Sequence, residues 1–150
     1  MLRRLQNFNG KNIDATKKAK VAMVRGLLVQ KDVTTGEAVL PVSQEGLFFV
    51  DRDAQPTGLG AMAGDVSEYD DSLDKIAAGV PVQLEGFVKG EIYAVDQFVA
   101  TGFAVGNYAE VSNVVDATQG KIIKKATAGA FRYLGTMTEG THTLAMVEVL

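Results

Sequence analysis

One histidine, no cysteine and no tryptophan leave this chain of 150 residues few side chains that could do chemistry. Without cysteine there is no thiolate nucleophile, no disulfide framework and no zinc-thiolate site. His142 alone cannot form a histidine metal triad, and it is the only possible base for a Ser-His-Asp arrangement. It lies beside Gly140, where a hairpin turn is expected between Met137 and Leu144, and is read as a locally packed turn residue. No G-x-S-x-G nucleophile signal accompanies it. Gly58, Gly60 and Ala63 match the dinucleotide pattern G-x-G-x-x-A. That pattern holds a pyrophosphate only where a strand feeds it and a helix begins on it. Here Asp51 to Pro56 precede it and an acidic stretch follows, so it reads as a glycine-rich loop.

The acids Asp65, Glu68, Asp70, Asp71 and Asp74 could offer oxygen ligands to a hard cation, but the ordered spacing of a calcium loop is absent. Paired carboxylates for glycoside hydrolysis lack the expected aromatic platform. These acids read as a solvated loop. Neither catalytic residues nor a metal or cofactor site are assigned, and a small hydrolase built on the acidic loop ranks last among the functional classes.

Charge is uneven along the chain although the formal net charge is only −3. Residues 1–20 hold Arg3, Arg4, Lys11, Lys17, Lys18 and Lys20 against the one acid Asp14, whereas residues 51–74 hold seven acids against Arg52. Such blocks are either solvated faces or electrostatic docking surfaces, between subunits or on a larger charged body. The basic stretch has only Phe8 as an interleaved aromatic and the sequence pI is about 5.1, which argues against a nucleic-acid partner. No apolar run reaches the roughly 20 residues of a membrane span. The basic start lacks the apolar stretch of a secretory signal, so no membrane partner is expected.

The elements that must position these residues are mostly short strands. Residues 1–20 read as a basic N-terminal arm, and 21–150 as one β-rich domain with an acidic loop region at 51–79. Asp14 to Lys31 is ambiguous: Asp14 could cap a helix with Ala15, Ala19, Ala22, Met23 and Leu27 on one stripe. Gly26 would weaken such a helix by about 1 kcal/mol, and the β-branched run Val21–Val29 favours a strand. Runs at 37–42, 47–50, 80–89, 92–95, 103–105, 108–115, 121–124, 131–137 and 143–150 follow, cut by glycines. In the run 80–89, Val80, Val82, Leu84, Gly86 and Val88 alternate with a mixed face that carries Gln83, Glu85 and Lys89. One short helix is expected around Ser72–Ala78. Short strands with glycine turns at this spacing predict a mainly β protein. It would be a small sandwich or barrel-like antiparallel domain with an extended arm and at most one or two short helices.

The last third is the most regular. As a strand, its end places Leu144, Met146, Glu148 and Leu150 on one face and Ala145, Val147 and Val149 on the other. Both faces are nearly all apolar, as in a strand covered by its own core or by a neighbouring subunit. Phe131-Arg-Tyr-Leu-Gly135, a tight turn, and a final strand running to Leu150 resemble the capsid decoration, or cement, proteins of tailed bacteriophages. Gly106-Asn-Tyr-Ala-Glu-Val111, Gly120-Lys-Ile-Ile-Lys124, Thr35-Gly-Glu-Ala-Val-Leu-Pro41 and Leu47-Phe-Phe-Val-Asp51 are similar to pieces of such head proteins. The likeness covers residues 80–150 better than 21–79. The chain is longer than the smallest members, and residues 51–74 have no counterpart in them.

The resemblance implies a non-catalytic virion protein on the outer surface of an expanded icosahedral shell, made in the host cytoplasm. Its partners would be the major capsid protein and further copies of itself, as a homo-oligomer and often a trimer. Candidate capsid or subunit contacts are Arg3, Arg4, Lys11, Lys17, Lys18, Lys20, Met146, Val147, Val149 and Leu150. The alternative is a carbohydrate or host-surface binding module on a virion, such as an adhesin or head fibre. Deleting residues 2–12 is expected to weaken capsid binding and to leave the fold intact.

Overall fold

Thirteen strands are formed by residues 1–6, 13–53 and 74–150, the part of the chain that the computed structural model describes. They are β1 (Leu2–Gln6), β2 (Ile13–Ala19), β3 (Met23–Val24), β4 (Leu28–Lys31), β5 (Glu37–Val39), β6 (Leu47–Asp53) and β7 (Lys75–Ile76). Then come β8 (Pro81–Glu85), β9 (Ile92–Val95), β10 (Tyr108–Val111), β11 (Ile122–Lys125), β12 (Phe131–Glu139) and β13 (His142–Val149). No α-helix occurs among the described residues, so the protein is mainly β, as its glycine-punctuated pattern predicts.

Two layers share these strands. One is a six-stranded antiparallel sheet in the order β1-β9-β13-β12-β10-β11. The other is a closed barrel, β2-β5-β4-β6-β8, in which only the β2–β5 pair is parallel. A short β3–β7 ribbon adjoins the barrel. Successive residues of a strand face opposite ways, and β4 shows the consequence. Val29 joins the barrel cluster with Ala38, Val50, Val82 and Leu84, while Leu28 joins the cluster between barrel and sheet with Phe49, Tyr93, Phe131 and Val147. Phe49 sits 4.8 Å from the Tyr93 ring and 5.2 Å from Phe87, tying the two layers with aromatic contacts.

The ambiguous stretch 14–31 is extended, but it is not one strand. Gly26 breaks it at φ +90°, and a side chain there would come within 2.6 Å of the Met1 carbonyl oxygen. Glycine is needed both for the backbone angle and for this close approach. β3 and β4 thus separate, with Gly26 N–H donating to the Val50 carbonyl at 2.7 Å.

Four expectations are corrected. The described residues of the expected arm 1–20 are no arm: β1 pairs with β9, β2 pairs with β5 and β8 in the barrel, and Leu2 and Ala19 are buried. Residues 75 and 76, expected in a helix, form a strand against β3. Phe103–Val105 is a turn region in which the Phe103 ring stacks on Tyr133 at 4.6 Å. The run 80–89 is a strand only as far as Glu85, and its mixed face is buried as well, with Glu85 at 1 % exposure.

Candidate binding surface

The mixed face of β8 is buried because it meets charged partners. Arg4 Nε donates to both Glu85 oxygens at 2.5 and 2.7 Å, and its other arm reaches Asp51 at 2.9 Å. Arg25 donates to the second Asp51 oxygen, also at 2.9 Å. Tyr93 O–H donates to Glu91 at 2.8 Å, and the Val88 N–H donates to the same Glu91 oxygen. Burial, and then the Glu91 hydrogen bond, push the Tyr93 phenol well above its usual value, so it stays a donor. Hydrogen bonding to Glu85 raises the Arg4 guanidinium further still. These groups satisfy one another across the two layers and form a staple between them.

The N-terminal ammonium group is held in the same manner, by Asp74 at 2.8 Å, Asp96 at 2.6 Å and the Arg25 carbonyl. Asp74, read from the sequence as part of a solvated loop, and Asp51, in the acidic block 51–74, are therefore buried ion-pair partners. Asp65, Glu68, Asp70, Asp71 and the Gly58–Ala63 pattern lie outside the described residues. Among the described residues, no group of three or more His, Asp or Glu side chains is arranged to hold a metal ion. His142 opens β13 at the hairpin end, with Nδ1 3.7 Å from Asp96.

The candidate contacts fall into three groups. Arg3 is bonded to Glu139 and Arg4 to Glu85 and Asp51, so both charges are met within the chain. Lys18 and Lys20 are exposed, Lys17 is half-buried, and Lys11 is outside the described residues. Val147 and Val149 are buried in the interlayer core by their own chain, while Met146 packs on the opposite face beside Leu144 and Ala94. Leu150 is half-buried, its N–H donating to the Ala130 carbonyl. The doubly apolar last strand is central in the sheet, between β9 and β12, which accounts for its composition without a second subunit.

A different surface stands out: the loop after β5 and the loop between β10 and β11. Val42 is 72 % exposed, Val114 57 % and Val115 86 %. Isolated exposed valines are ordinary, but these sit on two loops bonded to each other. Gln44 bonds both the N–H and the carbonyl of Val111, at 3.1 and 2.6 Å. Asn113 donates to the Val42 carbonyl at 3.3 Å and Gln119 to the Pro41 carbonyl at 3.0 Å.

Each loop is also fixed internally. Gln30 accepts from the Val42 N–H and donates to Ser43 Oγ and the Glu45 carbonyl. Asp116 accepts from the N–H and the hydroxyl of Thr118, which lowers its carboxyl below the usual range, and Ser112 bonds Thr118 across the loop base. The result is a pre-ordered apolar surface carried by stiff β-branched side chains, which has little entropy to lose on contact.

Sequence reasoning missed these valines because Val114 and Val115 extend the apolar run of β10. Their flanking Asn113 and Asp116 were the available sign of a turn. Comparison with family models, with curated proteins and with solved structures returns no match, so the surface has to be interpreted from its own geometry.

Proposed function

We propose that this chain is a non-catalytic structural protein of a virion that binds the outer surface of an expanded icosahedral phage shell and stabilises it, as a homo-oligomer. The observation that carries the reading is the locked loop pair displaying Val42, Val114 and Val115. A rigid surface that displays valines suits contact with another protein. A glycan-binding module on the same scaffold would call for planar aromatics and aimed polar groups, and valines supply neither. A protein that binds the expanded shell and not its precursor stabilises the expanded state by mass action. The resemblance of residues 80–150 to decoration proteins supplies the identity of the shell, and its major capsid protein is then the partner.

Co-sedimentation with expanded shells of the cognate capsid protein tests this. The wild-type chain should pellet with expanded shells, and a Val114→Asp, Val115→Asp variant of unchanged circular dichroism should bind about tenfold more weakly or worse. A wild-type protein that stays in the supernatant, or a variant that pellets equally well, would overturn the proposal. Binding on a glycan array by a chain indifferent to shells would establish the adhesin alternative instead.

A further inference from the structure

An open groove of about 630 Å³ lies beside the β3–β7 ribbon and borders the valine loops at Leu40, Ala117 and Gln119. Met23, Leu27, Leu40 and Ile76 give it an apolar floor, and Lys75 and Lys121 are its charged lining residues. None of the described residues lining it is acidic, although the chain carries 18 acids against 15 basic residues. Lys75 is exposed and makes no ion pair with a described residue, and the charge of Lys121 contributes to lowering the Asp116 carboxyl. Arg4, Arg25, Lys31 and Lys125, by contrast, all sit within 3 Å of a carboxylate.

We infer that this groove binds an extended segment of a partner protein that carries both apolar and acidic side chains. The apolar side chains lie on the floor, where Met23 adapts to their shape, and the carboxylates meet Lys75 and Lys121. The groove is open to solvent rather than enclosed, which fits a length of chain crossing it better than a small molecule that must be mostly surrounded. Charge complementarity selects the acidic segment: a basic one would face two ammonium groups with no carboxylate from the lining to offset them. The inference goes beyond shell binding and does not rest on it, because no shell-facing valine lines the groove.

Fluorescence anisotropy on the full chain tests it, with a labelled octapeptide alternating leucine and aspartate as probe. Two controls replace every aspartate by lysine or every leucine by serine. The leucine–aspartate probe should bind saturably, and both controls should bind about tenfold or more weakly. A Lys75→Glu, Lys121→Glu variant should lose about tenfold in affinity for the probe and gain affinity for the lysine control. Both lysines are polar lining residues outside the core clusters, and a thermal melt within a few degrees of wild type would establish that the variant folds. Equal binding of the lysine control, or unchanged binding by the charge-reversed variant, would overturn the assignment. So would tighter binding of octanoate than of the peptide, which would make the groove a small-molecule site. Loss of shell binding alone would leave this result standing, so the two proposals fail separately.

Discussion

At the scale of single residues, the Arg4–Glu85 pair shows that the two partners of one ion pair are not equivalent. Glu85 is 1 % exposed as a residue, whereas the Arg4 side chain is 36 % exposed. Arg4→Ala would strand a buried carboxylate without its cation and should cost about 3–5 kcal/mol. Glu85→Ala leaves a guanidinium that still reaches Asp51 and water, and should cost less, about 1–2 kcal/mol. Urea unfolding of the two variants measures this order, and equal losses would refute it. The Arg3–Glu139 bond belongs to the surface. Hydrogen bonding to Arg3 lowers the Glu139 carboxyl below its usual 4.5. A depressed folded-state value stabilises above the unfolded value and is lost as pH falls through the depressed one. Arg3→Gln should therefore lower the melting temperature slightly at pH 7, and the gap from wild type should narrow as pH falls below 4.5 and through the depressed value. A gap that stays constant as pH is lowered through the carboxylate range would show that Arg3 acts through packing.

At the scale of elements, β13 carries the greatest structural burden. It pairs with β12 from Val149 to His142 and with β9 from Ala145 to Glu148, and it supplies core residues to both faces of the sheet. Removing Met146–Leu150 deletes buried Val147 and Val149 and opens the sheet at its centre. The truncated chain should lose its cooperative melt and its strand-type circular dichroism. A truncated chain that melts as wild type would refute the central role. The period-2 pattern of the sequence made this strand legible, including the division of its residues between faces. It did not make β3 and β7 legible. Two-residue strands have no periodicity to read, and each exists because the other lies beside it.

At the scale of the whole molecule, the N-terminus is part of the sheet rather than an appendage. Deleting Leu2–Gln6 removes an edge strand, the buried Leu2 side chain and the Arg4 cation together, and should lower stability by at least about 2 kcal/mol. A deletion variant with unchanged stability in urea would restore the arm reading. The barrel and sheet meet through Leu28, Phe49, Tyr93 and Phe131, so disturbance of either layer should spread to the other. The valine loops lie on the barrel's β5–β6 connection and the sheet's β10–β11 connection. The proposed shell contact thus spans both layers and depends on their staying docked.

The sequence by itself determined the class of the fold, the positions of most strands and the apolar character of the last one, because alternation and glycine turns are local properties. It also limited the chemistry, through a single histidine and the lack of cysteine. The tertiary structure decided which charges are internal. Arg4, Asp51, Asp74 and Glu85 read as exposed in a one-dimensional pattern, yet they are neutralised by partners far along the chain. It decided, too, that Val42, Val114 and Val115 face solvent, since their exposure follows from two distant loops bonding through Asn113, Gln119 and Gln44. Neither outcome is written in local spacing: both depend on contacts between residues tens of positions apart.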